Sequence, residues 1–401
     1  MSEYKRAKRG NRAGGTAVAP FRWACCGLLI LTAVLLVGAC ASPPQSDPAT
    51  ATGPDWVAIV DTARWAQNAH NMQSWRLRVA SPREVVGGLD PARLLPETDP
   101  LGRQLVLSLG AFSEAARVAA LEDGWRLTAE WIAPEGWSLA DNPDAELFRW
   151  RAAPAVDTAP AANDAPLPAS AAVDALSAPT VKFRVRPMVL GEDAAAELEG
   201  AYDAPALRWQ VETGTERVSE TLAIAAEAFE IEMRHEPSLM ESYDVTRIGG
   251  RAIRREPYGL TLRANIPRGL IGFTELALRI FPASPERYAE TGIDMFGGAI
   301  EGSETLVVLT TESNTPEAQF HAGVPLQALW MDVIDRGGSL LPLSQGLQEY
   351  PEVAEQYERL HELWAQSGET VQMIMSLGEP RGSFRRGPRI PAEELFADYG
   401  G

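Results

Sequence analysis

Apolar and polar positions recur along the chain with two periods, and their succession sets the expected elements. Trp56 to Trp65 reads as a short amphipathic helix, and Gln67, Asn68, His70, Asn71, Gln73 and Ser74 follow as a polar, turn-rich loop. Trp75-Arg76-Leu77-Arg78-Val79 alternates like a strand, and Trp125 to Trp131 alternates strictly. Between them Asp99 to Arg103 has turn chemistry, and a helix is expected from about Ser113, as N-cap, to Gly124 at C′. Further on, Val218 to Arg234 is a strong helix whose stripe of Val218, Leu222, Ala225, Ala226 and Phe229 reads as core. Thr305 to Thr310 is a buried strand, and a helix follows from about Glu317 to Arg336, stopped by Gly337-Gly338. Ser339 to Gln345 leaves as an irregular segment, and Gln372 to Leu377 is another strand.

Composition then divides the chain. Six cations stand against one acid, Glu3, ahead of and around an apolar run from Ala24 to Ala39. That run is short for a membrane span and suits a signal peptide, with an uncleaved anchor helix as the alternative. Val37-Gly38-Ala39-Cys40 resembles a bacterial lipobox, which makes Cys40 the expected lipidated residue. The expected parts are residues 1–39 as signal, 40–54 as disordered tether, 55–151 as first repeat, 152–179 as Ala/Pro-rich linker and 180–401 as second repeat. A proline-rich surface loop within one domain is the other reading of the linker. The expected location is the bacterial cell envelope, lipid-anchored and facing the periplasm or exterior.

Charge narrows the partners. The chain holds 36 Lys and Arg against 54 Asp and Glu, and removing residues 1–39 leaves 30 against 53. Such an acidic body disfavours nucleic acid and gains nothing from anionic headgroups, so attachment is expected through acyl chains. All three cysteines lie at or before Cys40, which leaves the body without thiol chemistry. Its four histidines have no metal-ligand spacing, and no metal is expected.

Three places carry candidate chemistry. His70, Asn71 and Gln73 offer hydrogen-bonding groups on a loop between rigid elements, although such amides also serve to satisfy backbone. In Thr180 to Pro187, apolar residues alternate with Lys182, Arg184 and Arg186, and Lys182 is the only lysine after residue 39. The tail places Arg381, Arg385, Arg386 and Arg389 in a Gly/Pro-rich segment, readable either as a ligand site or as a solvated basic loop.

The run Asn71-Met72-Gln73-Ser74-Trp75 resembles the Asn-x-Gln-Pro-Trp signature of the nitroreductase-like flavoproteins, with Ser74 in place of proline. Arg389-Ile390-Pro391-Ala392-Glu393-Glu394 is similar to the family's Arg-x-Pro-x-Glu-Glu segment, and the resemblance extends over most of the chain after the signal, in particular to the two-repeat, Acg-like branch. It implies an α+β fold of mixed sheets flanked by helices, in two fused repeats forming a pseudo-dimer within a monomer. It also implies FMN, held by His70, Asn71 and Gln73 from the first half and by Lys182, Arg184, Arg186, Leu343, Ser344, Arg386 and Arg389 from the second. The implied activity is ping-pong hydride transfer through the flavin from a small-molecule donor to a nitro or quinone acceptor, with no covalently catalytic side chain. The alternatives are a lipoprotein that holds FMN without turnover and a structural envelope lipoprotein on a dead fold.

Overall fold

Asp55 starts the first element: its carboxylate accepts from the backbone N–H groups of Val57 and Ala58, capping helix α1 (Trp56–Ala63). Strands β1 (Trp75–Ser81) and β2 (Glu84–Leu89), helix α2 (Arg103–Glu122) and strands β3 (Trp125–Trp131) and β4 (Phe148–Pro154) complete the first half. Helix α3 (Ala169–Leu176), strand β5 (Val185–Pro187), helix α4 (Glu192–Ala201) and strand β6 (Leu207–Thr213) lead into the second. Helices α5 (Glu216–Arg234) and α6 (Glu236–Asp244), strand β7 (Thr246–Arg247), helix α7 (Gly250–Arg255), strand β8 (Leu260–Thr261) and helices α8 (Arg268–Ile280) and α9 (Pro285–Ile300) follow. The chain closes with β9 (Thr305–Thr311), α10 (Pro316–Asp335), β10 (Ser339–Pro342), α11 (Ala354–Trp364) and β11 (Thr370–Pro380).

The fold is α+β. One antiparallel sheet has the order β1-β2-β4-β3; the second has β10-β11-β9-β6, with β5 pairing the end of β11. This computed structural model describes residues 53–157, 168–182, 184–201 and 206–396, all within one compact unit. The expected signal, Cys40, most of the tether and residues 158–167 lie outside the described residues.

Helices α2 and α10 form the centre, each 20 residues long, α2 almost wholly buried and α10 buried over most of its length. They meet glycine to glycine. A Cβ on Gly110 would lie 1.9 Å from the Phe320 carbonyl oxygen, and one on Gly323 would lie 2.0 Å from that of Leu107. Only hydrogen at both positions permits this approach. α2 starts ten residues earlier than Ser113, because Asp99 reaches forward to accept from the N–H groups of Gln104 (3.1 Å) and Leu105 (2.9 Å). Ser113 is buried mid-helix, where its hydroxyl donates to the Leu109 carbonyl and accepts from Trp150 Nε1.

Parts of the expected linker belong to regular elements. Residues 152–154 finish β4, and α3 packs Ala172, Ala175 and Leu176 against α2 and α10. Small side chains suit this groove beside a close helix pair, so a composition poor in large apolar residues can still be buried. The tail also crosses over: Ile390, Ala392 and Leu395 join the first-half core, and Phe396 bridges to Leu77.

Candidate functional site

The loop after α1 is strained. His70, Asn71 and Gln73 all have left-handed backbones, at φ 46°, 56° and 52°. Such conformations persist only when the surroundings hold them, and they cluster at functional sites. Here Gln67 N–H donates to Gln327 Oε1 (2.9 Å), Ala69 N–H to Ser108 Oγ (3.2 Å) and Gln73 N–H to Asn68 Oδ1 (2.9 Å). The loop is thus anchored to α2, to α10 and to itself.

The strained loop forms one wall of a cavity of about 610 Å³. The first half contributes residues 67–70 together with Gln104, Leu107 and Ser108 of α2. Across from them stand Lys182, the end of α5 (Phe229, Glu232, Met233), α8–α9, Leu326 and Trp330 of α10, and Leu341, Pro342, Ser344 and Gln345. Met373 and Met375 of β11 add to the apolar lining. The volume falls within the usual range for cofactor and small-molecule sites, about 300–1,000 Å³. Buried polar atoms lining the cavity lack hydrogen-bond partners, namely His70 Nδ1 and Gln345 Oε1. A native structure leaves few such groups unpaired, so they point to a polar ligand.

Burial governs the ionisable groups facing this space. Glu232 is pushed up to about 7 by burial, against the opposing pull of its hydrogen bond from Gln348 Nε2 (2.9 Å) and of Lys182. Lys182 is lowered by burial, with Glu232 acting the other way. His70 is pushed down to about 4, first by burial and then by the Lys182 charge. All three are drawn towards their neutral forms, and an anion in the cavity would favour the charged form of Lys182.

Of the ten residues expected to hold a cofactor, His70, Lys182 and Ser344 line the cavity. The other seven are elsewhere. Asn71 and Gln73 clasp distant segments: Asn71 Nδ2 donates to the Gly259 (3.0 Å) and Pro388 (3.3 Å) carbonyls, and Gln73 Nε2 to that of Pro257 (3.0 Å). Gln73 Oε1 accepts from Ile390 N–H at 2.8 Å. Arg389 is enclosed, donating to the Arg64 carbonyl (2.6 Å), Asn71 Oδ1 (2.6 Å) and the Pro388 and Trp65 carbonyls. Burial, then Arg64 and Arg386, lower its pKa to about 9, which leaves it charged at neutral pH. Arg386 lies over the Trp65 ring.

Arg184 and Arg186 form exposed ion pairs with Glu301 (2.6 Å) and Glu379 (3.5 Å). Among the described residues of the expected cationic strand, only Val185–Pro187 pair in a sheet; Lys182 instead bonds through its N–H to the Ala264 carbonyl, so the three cations do not converge. Leu343 packs in the second-half core, while its neighbours Pro342 and Ser344 face the cavity. The α5 stripe is core at Val218 and Ala225, but Phe229 at its end lines the cavity. Glu232 continues the same helical face, and an acid there was the available signal for a polar site.

No protein-family model and no curated protein matches the chain. Among solved structures it is similar to a nitroreductase with bound FMN from Desulfitobacterium hafniense, at 11% identity and a TM-score of 0.35, over 57% of this chain and 98% of that one. The FMN-dependent nitroreductase NfnB from Mycobacterium smegmatis, in complex with NADPH, is similar at 14% identity and a TM-score of 0.35, over 56% and 96%. For a putative nitroreductase from Anabaena variabilis the values are 12% and 0.30, over 81% and 73%. These neighbours are nitroreductase-like, and at such identities and scores the chemistry of this chain is read from its own cavity.

Proposed function

We propose that the cavity holds one FMN per chain, between the two halves, and that the protein is a flavin-dependent oxidoreductase built from two nitroreductase-like repeats. The observation that carries this reading is the composite lining: residues 67–70, 104, 107 and 108 precede the Ala152–Ala178 stretch, and the other lining residues follow it. The residues fit the group. Met373, Met375, Trp330 and Leu341 offer a packed apolar wall, Gln67, Asn68, Gln104 and Gln345 offer amide partners, and Lys182 and Arg287 are the cations for a phosphate. Bound flavin supplies two-electron acceptance and donation. Glu232, poised near neutrality, can hold or release a proton at its carboxyl within the same cavity. The electron acceptor is proposed to be an electron-poor nitro or quinone compound, and Cys40 to tether the protein to the cell envelope.

The test is the absorbance spectrum of the purified protein and the flavin released on denaturation. A ratio near one per chain, with bleaching by NAD(P)H, supports the proposal. A colourless protein, or a ratio near two, overturns it; bleaching by dithionite alone leaves a flavin-holding protein without turnover. Lys182→Met should weaken FMN binding roughly tenfold or more, the loss of one charge-assisted bond, while Arg186→Ala should leave it unchanged.

A further inference from the structure

Helix α8 presents an apolar ridge to the outside. Leu270, Phe273, Leu276 and Ile280 recur at helical spacing and are exposed, Phe273 at 77%, and Phe281 continues the ridge at 76%. The opposite side is satisfied within the protein: Ile271 is buried and Leu278 lines the cavity. A ridge of large side chains gathered on one helix differs from the scattered apolar residues of an ordinary surface and marks an interaction site.

The charge around the ridge selects the partner. Residues 247–287 contain eight arginines against three glutamates, in a chain whose formal net charge is −18. Arg268 and Arg279 on α8, and Arg251, Arg254 and Arg255 on α7, are exposed. The tail adds exposed Arg381 and Arg385, and it is joined to α8 by a bond from Arg268 N–H to the Ser383 carbonyl (2.7 Å). A two-fold contact between copies would set this arginine rim against itself. Anionic headgroups would instead neutralise it while the ridge enters the acyl boundary, the arrangement of an interfacial amphipathic helix.

We propose that the α8 ridge docks on an anionic phospholipid bilayer. The site is independent of the flavin reading. It also revises the expectation from net charge, because a strongly acidic chain carries a local cationic face.

The experiment uses the full chain, purified in detergent and reconstituted into phosphatidylcholine/phosphatidylglycerol vesicles that contain a phospholipid with a diazirine in its acyl chain. After irradiation, peptide mapping should find lipid adducts in residues 268–281. Phe273→Glu with Ile280→Glu should reduce those adducts at least roughly tenfold, because each removes a side chain worth more than one factor of ten in partitioning. Arg251→Gln with Arg254→Gln and Arg255→Gln should reduce them only when phosphatidylglycerol is present. Melting temperatures of both variants close to that of the parent keep folding out of the comparison. Adducts confined to residues 24–39, or α8-to-α8 cross-links between copies in their place, would overturn the proposal.

Discussion

Replacing Asn71 with alanine separates a clasp from a ligand contact. The side chain makes four bonds: two from its amide to the Gly259 and Pro388 carbonyls, and two accepted at Oδ1, from Arg389 at 2.6 Å and from Gln73 Nε2 at 3.5 Å, the last long and weak. Alanine removes all four and leaves an enclosed guanidinium without its side-chain acceptor. The bond to the charged donor contributes about 1.5–3 kcal/mol, and each neutral one about 0.5–1.5 kcal/mol. Asn71 also sits at φ 56°, a conformation that asparagine tolerates and in which alanine costs about 1 kcal/mol more. Backbone relaxation recovers part of the sum, so the expected loss is about 3–5 kcal/mol. With an unfolding entropy of about 2.1 cal/mol/K per residue, a body of about 340 residues should melt roughly 4–7 °C lower. Thermal unfolding without added flavin reads this directly. Asn71→Asp keeps an acceptor for Arg389 and should lose less. An alanine variant that melts within about 1 °C of the parent but binds flavin tenfold more weakly would refute the clasp.

Two further outcomes follow from buried groups and close packing. Glu232, raised from 4.5 to about 7, contributes stability that is fully present below pH 4.5 and lost as pH rises through 7. His70, lowered from 6.5 to about 4, contributes stability that is present above pH 6.5 and lost as pH falls through 4. Glu232→Gln should therefore remove a fall in stability of up to about 3 kcal/mol between pH 4.5 and 7, read as Tm against pH. Asp99, raised to about 6 by burial, leaves a residual slope of the same sign, and an unchanged profile would reject the burial of Glu232 as its cause. Gly323→Ala must part α2 from α10 and should cost about 1–3 kcal/mol or more in urea unfolding. Gly297→Ala in α9, with open space at its Cβ, should be neutral or stabilising, and equal effects of the two would refute the close crossing.

The elements with a strong period were legible in the sequence. β3 coincides with the alternating Trp125–Trp131 run, and α10 begins one residue before Glu317. The start of α2 was not, because its cap acts from Asp99 across a left-handed Gly102 and the helix has no polar face to give it a period. In the site, the motif around Asn71 marked a loop that borders the cavity, but not which of its side chains face it. Residues 67–70 face the cavity, while Asn71 and Gln73 turn to backbone groups of segments roughly 190 and 320 residues onward, a distance at which spacing carries no information. The tail arginines were equally opaque, since an enclosed Arg389 and a ligand-facing one have the same local sequence.

The two sheets share one order, and what interrupts it explains why the cavity lies where it does. Leaving aside β5 and the β7–β8 pair, in each half the first strand pairs the second, a 20-residue helix follows, and the last strand inserts between the second and the third: β1-β2-β4-β3 in one sheet and β6-β9-β11-β10 in the other. Gly110 precedes the left-handed Gly124 by as many residues as Gly323 precedes the left-handed Gly337, so the two crossing glycines occupy matching turns of matching helices. The difference lies between the first two strands. β1 and β2 are joined by a turn at Pro82-Arg83, whereas α5 to α9 stand between β6 and β9. Those helices supply Phe229, Glu232, Tyr288 and Phe296 to the cavity wall, and the hairpin has no counterpart for any of them. Near-symmetric halves can therefore form an asymmetric site. The first half gives its strained loop and the flank of α2, and the second gives the enclosing helices and the lysine, so the described residues form one such cavity from unequal contributions.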